Sequence, residues 1–199
     1  MDADTTSPTL LSRVRDPADT AAWREFDSRY GELVLRYCRR RGLQHSDAED
    51  VRQMVMLKVS RALRDFKYDP RRGRFRGFLW RIVRNENLRY VTRPNTAPKR
   101  VDTHGSPTAE PVAPRDMDDV WEEEWTHHHL RMAMRRIRET FDPRSVSVFE
   151  SLLSGEAVDA VARQTGMTRD AVHKVKQRVR DRLKDLIAEQ ISEEDQFDA

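Results

Sequence analysis

Cysteine occurs once among the 199 residues, at Cys38. No internal disulfide can form, and with no second thiol to resolve it Cys38 reads as packing inside a helical segment beside Val34 and Tyr37. Long apolar runs are absent as well, since none approaches the roughly 20 residues that a membrane-spanning helix needs. The opening MDADTTSPTL lacks the charged-then-apolar layout of a signal peptide, so a cytoplasmic location without membrane insertion is expected. Strand alternation and fixed-period repeats are missing. So are a glycine-rich phosphate loop, a nucleophile motif and a paired-acid arrangement, and neither a catalytic residue nor a cofactor is expected. His127, His128 and His129 are consecutive, and helical neighbours point about 100° apart, so together they cannot grip one metal ion. Glu124 and His128 would share a face, but a pair without further ligands is a weak site.

What the chain does contain is helical pattern. Hydrophobic residues make up 37% and charged residues 36%, with a mean hydropathy of −0.85, a balance that suits narrow apolar stripes on helices. Trp23, Phe26, Tyr30, Leu33, Val34 and Tyr37 recur at threes and fours and predict a helix over 20–41, closed by Gly42. A second helix is predicted from Ser46, where Ser46 and Glu49 have capping-box spacing, to about residue 65, with Val51, Val55, Val59, Ala62, Leu63 and Phe66 inward. Tyr68-Asp69-Pro70-Arg71-Arg72-Gly73 has turn composition. The third helix, 75–91, would turn Phe75, Phe78, Leu79, Ile82, Val83 and Leu88 inward and Arg76, Arg81, Arg84 and Arg89 outward.

Between 93 and 117 Pro94, Pro98, Pro107, Pro111 and Pro114 interrupt any period, which marks a linker. A fourth helix is expected from Asp118, acidic in its first turn and basic in its last, ending at Asp142-Pro143. A fifth carries Val146, Val148, Phe149, Leu152 and Leu153 before Gly155. Two more helices flank Gly166, and the acidic end is expected to fray. The fold class that follows is all-α: a three-helix bundle at 10–92, a flexible linker at 93–117, a four-helix unit at 118–191 and an acidic tail at 192–199.

The formal net charge is only +3, so the distribution of charge carries more information than its sum. AVDAVARQTG followed by MTRDAVHKVKQRVRDRLKDL has the form of a helix-turn-helix: Val172, Val175, Val179, Leu183 and Leu186 share a face, and Thr168 suits an N-cap. Arg169, Asp170, His173, Lys174, Gln177 and Arg178 lie on or near the opposite face, where they could reach base edges and phosphates of duplex DNA. In the first half, arginines 71, 72, 74, 76, 81, 84 and 89 alternate with Tyr68, Phe75, Phe78, Trp80 and Tyr90, a mixture suited to single-stranded nucleic acid. Trp80 is the aromatic that packing explains least.

The run Asp47-Ala48-Glu49-Asp50-Val51-Arg52-Gln53, the run Phe75-Arg76-Gly77-Phe78-Leu79-Trp80-Arg81-Ile82-Val83-Arg84-Asn85 and the terminal helix-turn-helix resemble, in that order, regions 2 and 4 of the extracytoplasmic-function sigma factors of bacterial RNA polymerase. The resemblance spans roughly 10–191. It implies a sigma factor that directs promoter recognition and transcription initiation, with the polymerase core, promoter DNA and an anti-sigma factor as partners. Asp47, Glu49, Asp50 and Gln53 would face the polymerase. The loop and third helix would hold the −10 element through Tyr68, Arg71, Arg72, Arg74, Phe75, Arg76, Trp80, Arg81, Arg84 and Asn85. Arg169, Asp170, His173, Lys174, Gln177 and Arg178 would read the −35 element. The chain departs from the family at Met54, where a glutamate is usual, at Met56, where a phenylalanine is usual, and at Val175, where many members are basic. Two other readings stay open: a stand-alone helix-turn-helix regulator, and an interaction protein that titrates polymerase or an anti-sigma factor.

Overall fold

The computed structural model describes residues 10–64, 75–92 and 114–195. Every regular element among them is a helix: α1 Leu10–Arg13, α2 Thr20–Arg40, α3 His45–Arg64, α4 Phe75–Val91, α5 Pro114–Thr140, α6 Pro143–Leu153, α7 Val158–Thr165 and α8 Arg169–Asp195. The chain divides into two compact units, one of residues 1–126 with 193–199 and one of residues 127–192.

The first unit is built on the aromatic stripe of α2. Phe26, Tyr30 and Tyr37 are completely buried, with Phe75 and Leu79 of α4 and Val51, Val55 and Val59 of α3 in the same core. Burial of each large side chain contributes about 1.5–3 kcal/mol before the ordering cost is counted. Asp19 caps α2, its carboxylate accepting from the Ala22 N–H at 2.8 Å. At the other end Leu43 N–H donates to Cys38 O at 3.1 Å and Gly42 N–H to Arg39 O at 3.0 Å. That Schellman closure needs the left-handed φ of 91° at Gly42. Leu10, Leu11 and Val14 join the core from α1, a short helix that the sequence pattern did not predict.

Four expectations for this unit need correction. α3 begins at His45, one residue earlier than expected, so Ser46 lies within the helix, and the Glu49 carboxylate accepts from Arg52 at 2.8 Å. The structure therefore uses Glu49 in an ion pair where a capping box was expected. α5 begins at Pro114, four residues ahead of Asp118: a proline that reads as a linker signal is equally at home in a helix's first turn. The start of α5 also belongs to the first unit, because Trp121 and Trp125 are 2% and 6% exposed within its core. The division accordingly falls after Thr126, not at 118. The acidic end is not wholly frayed either, since α8 runs to Asp195 and the buried Glu194 accepts from the Tyr30 hydroxyl at 2.8 Å.

The second unit packs Ala133, Met134 and Ile137 with Val146, Val148 and Phe149 of α6, Val161 and Ala162 of α7 and the valine–leucine stripe of α8. Asp142 caps α6 by accepting from Ser145 N–H at 2.9 Å, with Pro143 in the first turn. His129, one of the three consecutive histidines, is buried with Nδ1 2.9 Å from Gln190 Oε1, while His127 is exposed.

Candidate nucleic-acid interfaces

The apolar register of α4 decides which of its side chains reach solvent. Phe75, Leu79 and Val83 are buried at intervals of four, and the next inward positions are Glu86 and Asn87. Leu88 was expected inward and is 39% exposed. The inward register runs through Glu86 and Asn87 and leaves Leu88 outside it. The buried Glu86 carboxylate accepts from Lys58, and the buried Asn87 lies near the Cys38 thiol. Burial pushes that thiol up to about 12, in keeping with a packing role.

Beside the buried stripe lie Arg76, Trp80 and Arg84, again four apart, and next to them the exposed Arg81, Asn85 and Arg89. Arg84 holds its guanidinium 5.3 Å from the Trp80 ring, a cation–π pair that keeps both side chains half-buried at the edge of the core. Arg76 pairs with Glu122 and lies 5.8 Å from the Trp125 ring. Phe75 is different: it is buried against Tyr30, with ring centroids 5.2 Å apart, and serves the core. Tyr68, Arg71, Arg72 and Arg74 lie outside the described residues.

On α3 the four candidate partner-facing residues separate. Asp47 is half-buried and accepts from the Tyr90 hydroxyl at 2.8 Å, and Glu49 is engaged by Arg52. Arg52 also donates to Asp27 at 2.6 and 2.7 Å, which joins α2 to α3. Asp50 and Gln53 are exposed and line a cleft of about 230 Å³ with Met54, Arg89 and Tyr90. Met54 and Leu57 are 37% and 43% exposed. With Asp50 and Gln53 they share one helix face by their spacing. Leu57 was not among the sequence candidates, although the same register could have singled it out.

In the second unit the helix-turn-helix closes through Gly166. Met167 N–H donates to Ala162 O at 3.0 Å, and Gly166 has a φ of 63° that a side chain would strain. Thr168 Oγ1 then accepts from Ala171 N–H at 3.2 Å and starts α8. Val172, Val175, Val179, Leu183 and Leu186 are buried, and Arg169, Asp170, His173, Lys174, Gln177 and Arg178 are all exposed. They are not equivalent. Arg169 pairs with Asp159 at 2.8 Å, Gln177 donates to Asp181 at 2.8 Å, and Arg178 donates to Ser145 Oγ at 2.9 Å. His173 and Lys174 lie between these anchored groups on the second turn of α8.

No helix among the described residues is long and apolar enough to cross a membrane. Residues 26–96 match the family of Sigma-70 region 2. No curated protein matches the sequence. Two solved structures are similar along most of the chain. One is the complex of CnrH with the cytosolic domain of CnrY, at 22% identity over 90% of this chain and 95% of that chain, with a TM-score of 0.35. The other is the RsbN–BldN complex, at 20% identity over 89% of this chain and 99% of that chain, with a TM-score of 0.36.

Proposed function

We propose that this chain, whose residues 26–96 match the family of Sigma-70 region 2, is a promoter-specificity subunit of RNA polymerase of the extracytoplasmic-function type. The carrying observation is the order of parts: a region 2 followed, in a separate unit, by a helix-turn-helix whose α8 exposes His173, Lys174 and four further polar side chains. Bond-making in RNA synthesis belongs to the polymerase. This chain supplies recognition, in the cytoplasm where the polymerase works, and an anti-sigma factor is the partner that would hold it in reserve.

In this reading, residues 10–92 dock on the polymerase and take the −10 element, 93–113 lead into α5, and the second unit, residues 127–192, contributes region 4. Asp50 and Gln53 offer the polymerase an acid and an amide, Met54 and Leu57 add apolar contact, and Asp47 and Glu49 hold the surrounding helices in register. α8 enters the major groove of the −35 element with Arg169, Asp170, His173 and Lys174 near its N-terminus, while Gln177 and Arg178 reach the flanking backbone.

Region 2 acts on the melted strand. Arg76, Arg81 and Arg84 track phosphates, Asn85 offers an amide to a base edge, and Trp80 stacks on a base. The segment 68–74, with Tyr68, Arg71, Arg72 and Arg74, takes an unstacked base, while Phe75 anchors the start of α4 in the core. Unstacking costs a few kcal/mol, which those contacts offset, so transient opening becomes a stable bubble. Transcription in vitro with core polymerase and a pool of random promoters tests the reading. Discrete start sites that depend on this chain are expected, and failure to join core, or joining it without directing any start, overturns it.

A further inference from the structure

Glu122, Glu123 and Glu124 are consecutive on α5, and their carboxylates meet arginines of two different helices. Glu123 accepts from Arg40 at 2.6 Å and Glu124 from the same guanidinium at 3.2 Å. Glu122 is paired with Arg76 in the first turn of α4. The backbone of this acidic turn is fixed from both sides, because Trp121 and Trp125 are buried in the first unit's core. Trp121 meets Tyr37 edge-on at 5.5 Å, and Trp125 lies 6.4 Å from Phe75.

The three carboxylates are not alike in their freedom. The side chain of Glu124 is 7% exposed, whereas that of Glu122 is 60% exposed. Glu122 can swing into solvent without disturbing the tryptophans that bracket it. Its partner Arg76 keeps 34% of its side chain exposed, while the Nη2 that meets Glu122 is covered. A guanidinium binds carboxylate and phosphate oxygens with the same fork of donors, so the two anions compete directly for it.

We infer that Glu122 is a built-in competitor for nucleic-acid phosphate: in the free chain its carboxylate occupies Arg76, and a strand reaches that guanidinium only by displacing it. The inference rests on the proposed assignment of α4 to single-stranded DNA. It adds a device that lowers the chain's affinity for stray nucleic acid while leaving the site intact for a strand held in place by further contacts. The effect is electrostatic and local, so added salt shrinks it.

The test is a double-mutant cycle on the full chain at low salt, read as fluorescence anisotropy of a short labelled DNA single strand of random sequence. Glu122→Gln is expected to tighten binding roughly two- to fivefold, the range of a partly exposed ion pair. Glu123→Gln, which removes the same charge from Arg40's side, is expected to change it little. In an Arg76→Ala background the gain from Glu122→Gln should vanish. Equal binding by Glu122→Gln and wild type, an equal gain from Glu123→Gln, or a gain that persists without Arg76 would each overturn the inference. The assignment of α4 is judged separately, by permanganate footprinting of promoter opening with polymerase holoenzyme. Loss of opening with Arg76→Ala supports that assignment even if the competitor fails, and unchanged opening removes the premise of both.

Discussion

Arg178 donates to the Ser145 hydroxyl across 2.9 Å, tying the polar face of α8 to the first turn of α6. The guanidinium also lies 5.6 Å from the Phe141 ring and 3.8 Å from the Asp142 carboxylate. A residue proposed to touch DNA therefore also braces the helix against which the recognition helix is set.

Replacing Arg178 by alanine should accordingly produce two losses. Thermal unfolding of the second unit should move to lower temperature, and duplex binding should weaken. Lys174→Ala should weaken duplex binding without moving the melt, and should lower the salt dependence of binding by about one contact. Melting curves beside duplex titrations at several salt concentrations separate the two; a Lys174→Ala melt that fell as far as that of Arg178→Ala would contradict the division.

The same network has a pH signature. The Asp142 carboxyl is held below its ordinary value of 3.8 by the Ser145 hydroxyl first, then by the Ser145 N–H and the charge of Arg178. A carboxyl depressed on folding contributes stability above its unfolded pKa and loses it as pH falls through the folded value. The second unit should therefore lose stability on acidification below the ordinary carboxylate range. Asp142→Asn should be less stable at neutral pH and show a flatter acid limb, as read by denaturant melts across pH.

A buried pair in the first unit gives a larger effect. Glu86 is 5% exposed and takes its charge partner from Lys58, whose side chain is 38% exposed. Lys58→Met leaves a carboxylate without that partner in the interior and should cost about 2 kcal/mol, below the value for a fully buried pair because the lysine is partly solvated. Adding Glu86→Met should restore much of the loss. Chemical denaturation of wild type, single and double variants measures both steps, and a double variant no better than the single one would show that the charge is not the cause.

Periodicity located α2, α3, α4 and α6 to α8 because each carries one apolar stripe of three- and four-residue spacing. It missed α1, whose four residues are too short to show a period. It also began α5 at Asp118 and assigned it to the second half, because proline and acidic residues near 114–124 match a linker and a helix start equally well. What assigns Trp121 and Trp125 to the first unit is contact with Tyr37 and Phe75, distant in sequence and invisible to a local pattern. The outward set on α8 was legible in full, since burial follows register there. Its division into anchored and less engaged side chains was not, because Ser145 and Asp159 lie on other helices.

Trp80 offers the sharpest functional test. It packs against the edge of the core and under Arg84 at 5.3 Å, so its ring is partly committed to structure and partly presented to solvent. If it stacks on a base of the open strand, its removal deletes an interaction worth about 1–3 kcal/mol per base, which corresponds to a loss of open complex of about 5- to 160-fold. Trp80→Ala should lower permanganate reactivity of promoter thymines by that amount, while upstream duplex binding by holoenzyme is retained. Trp80→Phe, which keeps an aromatic face, should recover part of the opening. A Trp80→Ala variant that lost duplex affinity and opening in equal proportion would place the defect in folding or docking, and the stacking role would have to be abandoned.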